Sequence, residues 1–493
     1  MNNASARFAV YMPMSRPLSL ATAALILVPL AVSAQRPDTL RLSLQDAVTI
    51  ALRASDEVRL SAMQAEIADA QLGTARASAL PQLRVTTGYT HGWENARGNA
   101  VGQVFNQPNT YTANLNFTQT LFQGGRIFAG IKSAGDVRAA AELDEKEVRA
   151  RTTVDVQRAY LQVLFTARMQ SIQQQNFTLA ASRAQQVEQL QAAGRAARYD
   201  VVRAHVERGN IEPLVVQAQN DRAIAELDLK RLLNIPVDQP LSLTTNIDAG
   251  GLRMMLASLD DSTAQPDRAS LRSAELTLAA RRQGVAVARA DLLPTATVSI
   301  QSGYQAFPPL GLGFPTQRGV AANEFCAPGA SATQRCQNGG WFADRSMTAT
   351  ISLPLFDGLR AKSNIGLARA QQRLAEIQLQ LQRETVGLEV ARARAELRRA
   401  RSVFDARKQN SSEADEAFQL ASLRFNRGLS TQLEVSDAQF ALMTAQSTEA
   451  RATFDLFLAS AELARALGRP IPFPPTTSTT RSSDSENGTP RDQ

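Results

Sequence analysis

The chain states one long pattern twice. Leu80-Pro81-Gln82-Leu83-Arg84-Val85 is echoed by Leu293-Pro294-Thr295-Ala296-Thr297-Val298, 213 positions later. Leu121-Phe122-Gln123-Gly124-Gly125-Arg126 returns as Leu355-Phe356-Asp357-Gly358-Leu359-Arg360 at a shift of 234, and Gly194 with Asp200-Val201 returns as Gly428 with Glu434-Val435 at the same shift. Pro236, after Leu232-Leu233, is matched by Pro470, after Leu467, again 234 apart. A shift that holds for more than 100 residues means two structural copies without net insertion, and the step from 213 to 234 places 21 extra residues between the two strand-like segments of the second copy. A duplication of this size constrains the fold before any local motif does. The expected division is residues 35–250 for the first repeat and 251–470 for the second.

Composition narrows what fills the repeats. Aromatics are 5% of 493 residues, and Ala, Gln, Arg and Leu dominate long stretches, which suits packed helices better than bulky cores. At the start, Arg7 and Arg16 precede an apolar run from Leu18 to Val32, and Val32-Ser33-Ala34 fits a small-residue cleavage site, so residues 1–34 read as a secretory signal. No Cys follows that site, which gives no support to an N-terminal lipid anchor. No later stretch approaches the ~20 apolar residues of a membrane helix, so a membrane-embedded mature chain would have to use strands. The net charge of +7 does not point to nucleic acid, because the arginines alternate with Glu and Asp as on a solvated helix face. Cys326 and Cys336 both fall in the 21-residue insertion region, and in an exported protein that close pair is expected to form a loop disulfide. Residues 471–493, rich in Pro, Ser, Thr and charge, read as a disordered tail.

Four segments change to a period of two. Leu83, Val85, Thr87 and Tyr89 oppose Arg84, Thr86, Gly88 and Thr90, and Tyr111, Ala113, Leu115 and Phe117 oppose Thr112, Asn114, Asn116 and Thr118. Ala296, Val298 and Ile300, then Met347, Ala349, Ile351 and Leu353, repeat the alternation in the second copy. Strands are expected near 82–90, 110–122, 295–304 and 346–356, with Gly/Asn-rich loops at 91–109 and 305–345. An apolar face for lipid and a Thr/Ser/Asn/Gln face for a wet lumen suit a membrane barrel. A soluble sandwich would need about seven strands.

The remainder is helical in period. Helices are expected over Ser43–Ser78, Arg126–Ala193, Arg198–Leu233, Asp267–Ala290, Leu359–Asn426 and Thr431–Leu467, with a possible strand at Leu40–Leu44. The two longest, at 68 residues each, would each span roughly 100 Å. Leu367, Leu374, Leu381 and Leu388 stand at heptad spacing, broken by Glu384, and predict a coiled-coil seam. Pro213 should kink its helix.

This order (helix, strand, loop, strand, very long helix, Gly turn, helix, stated twice after a signal) resembles the TolC-like outer-membrane efflux family, over about Leu40 to Pro470. The motifs that carry it are Leu-Pro at the strand entry, Leu-Phe-x-Gly-Gly/Leu-Arg at the strand exit, and Gly-x5-carboxylate at the turn. The resemblance implies an α + β membrane protein of the bacterial outer membrane: a long α-helical coiled-coil barrel in the periplasm, plus four transmembrane strands per subunit contributing to a 12-stranded β-barrel shared by a homotrimer. It also implies partners: a periplasmic adaptor, an inner-membrane pump and outer-membrane lipid. The strands alone require only that the chain oligomerise, since a membrane barrel has at least eight.

No catalytic constellation is present. There is no phosphate-binding loop, no Gly-x-Ser-x-Gly and no His pair at metal spacing, so no enzyme activity, metal or cofactor is expected. The candidate functional groups are carboxylates at the turns. Glu434 and Asp437 are three apart and share a helical face. By the resemblance they form a cation-binding ring at a periplasmic gate, with Asp200 their counterpart in the first copy. By their residues alone they also fit the solvated first turn of a helix. The turns at Gly194 and Arg195 and at Gly428, Leu429 and Ser430 are, by the same resemblance, where an adaptor makes contact, while a left-handed helix cap accounts for both glycines equally well. Phe425 and Ser430 depart from the Tyr and Arg that some members use to lock the entrance. The expected function is the exit duct of a tripartite efflux or type I secretion system. The alternative is an adhesive coiled-coil surface protein on a small barrel anchor, although such proteins place their strands in one block.

Overall fold

The computed structural model describes residues 39–94, 109–245, 266–307 and 341–471. The signal segment, Cys326 and Cys336, nearly all of the tail and most of both strand-connecting loops lie outside the described residues.

Each repeat begins at the middle of the molecule. Strand β1 (Leu40–Leu42) leads into α1 (Leu44–Ala54), started by a capping box in which the Ser43 hydroxyl accepts from Asp46 N at 3.1 Å and the Asp46 carboxylate accepts from Ser43 N at 3.3 Å. Helix α2 (Asp56–Ala77) follows directly. The single helix expected over Ser43–Ser78 is therefore two, because Ser55 takes an extended backbone, φ −63° and ψ 131°, that serves as the end of one and the start of the other. Leu80-Pro81 then ends the helical run, and β2 (Gln82–His91) and β3 (Asn109–Gln123) form a hairpin.

The strand-to-helix exit is a tight left-handed corner. Gly124 (φ +57°) and Gly125 (φ +80°) precede α3 (Arg126–Ala192), and a Cβ on Gly124 would stand 2.7 Å from Leu293 Cβ and 2.9 Å from the Ala290 carbonyl. The second copy builds the same corner from Gly358 (φ +70°) and Leu359 (φ +68°), a costly conformation for a branched side chain. There the Asp357 carboxylate accepts from Ala361 N at 2.7 Å and caps the helix. Arg126 and Asp291 form an ion pair that ties the first corner to the second repeat.

After α3 the chain returns through α4 (Arg198–Leu233), which runs on through Pro213 unbroken, and β4 (Leu241–Leu243), which pairs in parallel with β1. The second repeat comprises α5 (Ala269–Arg289) with a short 3-10 turn (Ala290–Leu292), β5 (Thr295–Ala306), β6 (Trp341–Ser352), α6 (Arg360–Asn426) and α7 (Gln432–Leu467). Strand β6 begins five residues before and ends four before the expected 346–356. It gains Trp341 to Arg345 because Asp344, on the polar face, accepts from Gln305 at 2.7 Å and Gln301 at 3.3 Å, so the charged pair does not interrupt the strand. It ends where Leu353-Pro354 can no longer donate to a ladder.

The strands form one antiparallel sheet of order β2-β3-β5-β6, so both outer strands, β2 and β6, leave an edge unpaired. The register assigns its faces. Leu83–Phe117–Ile300–Met347 and Tyr89–Tyr111–Ala306–Trp341 are rows of one face, while Gln82–Thr118–Ser299–Thr348 and Arg84–Asn116–Gln301–Ser346 are rows of the other. One face is thus apolar and aromatic, the other polar, as period-two alternation requires. Leu83, Val85, Tyr89, Leu115, Ile300, Tyr304, Met347 and Ile351 are all exposed.

The long helices hold the molecule together. Helix α3 packs along α2, α4, α5 and α7, and α6 packs along α5 and α7. Their common core lies at mid-length, around Leu42, Leu44, Val48, Tyr160, Leu161, Leu229, Val386, Val390, Phe454, Phe457 and Leu467. The Tyr160 hydroxyl donates to the Leu42 carbonyl at 2.8 Å and accepts from Thr245 N at 3.2 Å, joining α3 to the strand pair β1–β4. Beside it Arg268, buried at the start of α5, binds Glu147 of α3 at 2.7 Å and Glu389 of α6. The heptad leucines Leu367, Leu374, Leu381 and Leu388 do not join this core. They are 51–61% exposed, and α6 instead turns Ala375, Leu379, Val386, Val390 and Leu397 inward. Among the described residues no helix is long and apolar enough to cross a membrane.

Candidate functional site

The two helical hairpins end in turns of identical backbone design. After α3, Gly194 (φ +72°) donates to the Gln191 carbonyl at 2.8 Å and Arg195 to the Leu190 carbonyl at 2.7 Å. After α6, Gly428 (φ +72°) donates to Phe425 at 2.9 Å and Leu429 to Arg424 at 2.9 Å. Both are Schellman caps, in which glycine supplies the left-handed residue and the last carbonyls find donors. Ser430 donates back to the Ala421 carbonyl of α6 at 3.4 Å, within its own hairpin.

The starts of the returning helices differ. Ala197 precedes α4 and has no side chain to cap it. Asp200 supplies the bond from within the first turn, accepting from Ala197 N at 3.1 Å. Thr431 precedes α7 and caps it directly, its hydroxyl accepting from Glu434 N at 3.4 Å. Glu434 meets Arg424 at 3.9 Å, both side chains exposed. Asp437 is exposed and has no hydrogen-bond or ion-pair partner among the described residues. The structure thus places Glu434 and Asp437 together on one face of α7, and Asp200 on the other hairpin as a cap.

A polar cluster above the tips joins the hairpins, and its members are not evident from sequence. Arg183 of α3 donates to the Ser436 hydroxyl at 3.3 Å, and Ser436 donates to the Glu207 carboxylate of α4 at 3.2 Å. Arg203 holds Glu207 from the next turn at 3.3 Å, and Gln439 reaches Asn176 at 3.4 Å. Burial pushes the Arg183 guanidinium below its ordinary pKa, and Glu207 opposes that shift. The cluster draws on three helices and spans up to 263 residues of sequence, so no local pattern announces it. No group of side chains suited to holding a metal ion occurs among the described residues.

Helical hairpins of this length, a four-stranded sheet with two unlike faces and a strict duplication are now in place. A family profile described as "Outer membrane efflux protein" matches residues 47–234 and 262–469. The chain belongs to this family. It is an outer-membrane channel of TolC-like fold, with its helices forming a tunnel in the periplasm. It is 27% identical over 370 residues to "Pyoverdine export outer membrane protein OpmQ" of Pseudomonas putida, covering 73% of this chain and 70% of that protein. It is 27% identical over 383 residues to "Protein CyaE" of Bordetella pertussis, covering 74% and 71%. Among solved structures it superposes on the outer membrane protein VceC of Vibrio cholerae with a TM-score of 0.68 at 20% identity, covering 87% of this chain and 97% of that one. For the outer-membrane channel OprN the TM-score is 0.67 at 21% identity, covering 87% and 90%.

Proposed function

We propose that the protein is the exit duct of a tripartite efflux or type I secretion system, a passive conduit across the periplasm and outer membrane energised by an inner-membrane pump that it meets through an adaptor. The observation that carries this reading is the open sheet. Its polar face suits a wet lumen and its apolar face suits lipid, but both edges are unpaired. An open edge inside a bilayer leaves backbone groups unsatisfied, which lipid does not tolerate. Three copies would close the edges β2 to β6 and give 12 strands. The reading treats residues 35–250 and 251–470 as two repeats, in keeping with the two matched segments 47–234 and 262–469.

In such a trimer Glu434 and Asp437 from each subunit would form a carboxylate ring at the periplasmic mouth, attractive to cations. The turns at Gly194, Arg195, Gly428, Leu429 and Ser430 would present the surface an adaptor meets. The cluster Arg183–Ser436–Glu207 would hold the hairpins together in place of the missing Tyr and Arg. The test is ion conductance of the purified protein in planar bilayers. Stepwise openings of uniform size are expected, and protein that inserts without conducting would refute a duct.

A further inference from the structure

Each repeat carries a corresponding cavity at mid-length, and the first lacks a cation that the second supplies from its own chain. In the second repeat a cavity of about 620 Å³ lies between α6 and α7, with Glu389, Glu462 and Arg465 in its wall. In the first repeat a cavity of about 730 Å³ lies against α3, α4 and the start of α2. The shift of 234 carries Asp155 onto Glu389, Asp228 onto Glu462 and Arg231 onto Arg465, and all six line their cavities. The shift of 213 carries Ser55 onto Arg268. These two residues hold the same place before α2 and α5, in closely matched extended backbones: φ −63° and ψ 131° at Ser55, φ −87° and ψ 135° at Arg268.

The side chains differ by one charge. In the second repeat Arg268 binds Glu389, Arg465 stands 3.6 Å from the same carboxylate, and Glu462 accepts from Arg158 at 2.6 Å and from Arg465 at 3.0 Å. Both carboxylates therefore hold guanidinium groups. In the first repeat Ser55 replaces the arginine, and its side chain makes no cap bond to α2. Asp155 accepts from Arg158 at 2.9 Å and Asp56 meets Arg59 at 3.6 Å, but Glu57 and Asp228 have no hydrogen-bond or ion-pair partner among the described residues. The cations in the wall do not replace the missing one. Arg158 is shared between Asp155 and Glu462, Arg451 pairs with Asp455 at 3.1 Å while lying 5.0 Å over the Phe454 ring, and Arg231 alone is without an ion pair among the described residues. Glu57 and Asp228 against Arg231 leave an excess of negative charge.

A buried hydroxyl points to the same place. Thr152 of α3 lines the first cavity and is 3% exposed, yet its Oγ1 has no hydrogen-bond partner. Its counterpart 234 positions on is Val386, buried with no polar group to satisfy. An unpaired buried hydroxyl is costly, so a threonine where the other repeat keeps valine leaves an acceptor waiting for a donor. The remaining wall is apolar in part, with Phe454 and Leu458, and an adjoining cavity of about 490 Å³ that shares Asp228 adds Phe165 and Met169.

We propose that the cavity of the first repeat binds an amphiphilic organic cation: a guanidinium, amidinium or ammonium head on an apolar body. The head supplies the charge that Arg268 supplies in the second repeat, with Asp228, Glu57 and the Thr152 hydroxyl as its acceptors, and the body lies against Phe454. The walls come from one subunit, so the site depends on neither the assembly nor the duct proposed above.

The test is equilibrium dialysis of full-length protein in detergent against benzamidine, with neutral benzamide and anionic benzoate as controls and detergent alone as the blank. Saturable binding of benzamidine at one per subunit is expected, and none of either control. Asp228→Asn should weaken it about tenfold, the size of one hydrogen bond to a charged group, and Thr152→Val, which copies Val386, should weaken it less. Ser55→Arg, which installs the guanidinium of the second repeat in the same backbone setting, should abolish binding without lowering the thermal midpoint. Equal binding of benzamidine and benzamide would reduce the site to an apolar cavity and overturn the proposal. Benzamidine binding unchanged in both Asp228→Asn and Ser55→Arg would place the ligand elsewhere, and no saturable binding to the parent would remove the site outright. Each of these failures leaves the duct standing, since conductance is read separately.

Discussion

Replacing Arg268 by Ala removes the charge on which three helices converge. Its side chain is 7% exposed, and it binds Glu147 and Glu389, themselves 21% and 35% exposed. Burial works against the guanidinium, but the bonds to Glu147 and Glu389 overcome that penalty and raise its pKa above the ordinary value. Breaking a buried pair by deleting one partner costs about 3–5 kcal/mol, because the other charge is left uncompensated. Two features lower the figure here. Arg465 remains 3.6 Å from each carboxylate, and Glu389 is partly wet. The expected loss is about 2–3 kcal/mol, below that range to at most its low end. Guanidinium unfolding followed by far-UV circular dichroism, in detergent, measures it. The double variant Arg268→Ala with Glu147→Gln should lose less than the single variant, since one stranded charge goes with the first. A single variant within about 0.5 kcal/mol of the parent, the size of an ordinary surface change, would refute the claim that this cluster pins α3, α5 and α6 together.

Three further outcomes are expected. Tyr160→Phe should cost about 1–2 kcal/mol for the two lost hydrogen bonds. Burial raises the Tyr160 pKa above 10.0, so the hydroxyl's contribution is full below that value and falls as pH climbs through the raised one; the gap between Tyr160→Phe and parent in denaturant midpoints should narrow there. Glu434→Ala with Asp437→Ala should abolish blockade of conductance by a trivalent cation from the periplasmic side while leaving the oligomer intact, and unchanged blockade would remove the ring from these positions. Thr431→Ala removes the acceptor of Glu434 N and should cost about 1 kcal/mol, read as a lower denaturant midpoint; a midpoint equal to the parent's would show that this cap contributes nothing.

Much of the fold was legible because its signals are local. Leu-Pro marks the strand entries, paired left-handed residues mark the exits, and Gly194 and Gly428 mark the tips; α4 runs over Arg198–Leu233 as its periodicity predicts. What was not legible depends on contacts distant in sequence. Ser55 fits the helical pattern of its neighbours, yet α1 turns into the core with Leu44 and Val48 while α2 leaves along α3, so the helix breaks between them. Strand β4 is three residues long and exists by pairing with β1, some 200 positions earlier. The leucine heptad predicts a coiled-coil seam, but Leu367, Leu374, Leu381 and Leu388 are exposed among the described residues, because α6 turns a different face to its neighbours. At the tips the positions of Glu434 and Asp437 followed from spacing, but the Arg183–Ser436–Glu207 cluster needed three helices in place.

Duplication explains why one hairpin carries the exposed acids and the other does not. Both copies keep a carboxylate at the same distance from the turn glycine, so position alone would give Asp200 and Glu434 the same role. The two helix starts are nevertheless capped by different bonds. Ala197 offers no side-chain acceptor to the first-turn amides of α4, and the Asp200 carboxylate turns back to accept from the Ala197 amide. Thr431 accepts from a different amide, Glu434 N, and the Glu434 carboxylate lies toward Arg424 instead of turning back to the backbone. The shorter Asp at 200 suits a cap, and the longer Glu at 434 suits reach. Divergence of two residues in a repeated turn is thus enough to divide one ancestral design into a structural tip and a charged one. The long helices show the same division, since α3 buries its inward face and its flanks while α6 leaves leucines and arginines bare. Neither repeat buries all of its apolar side chains, for Leu60, Met63 and Ile67 of α2 are exposed as well.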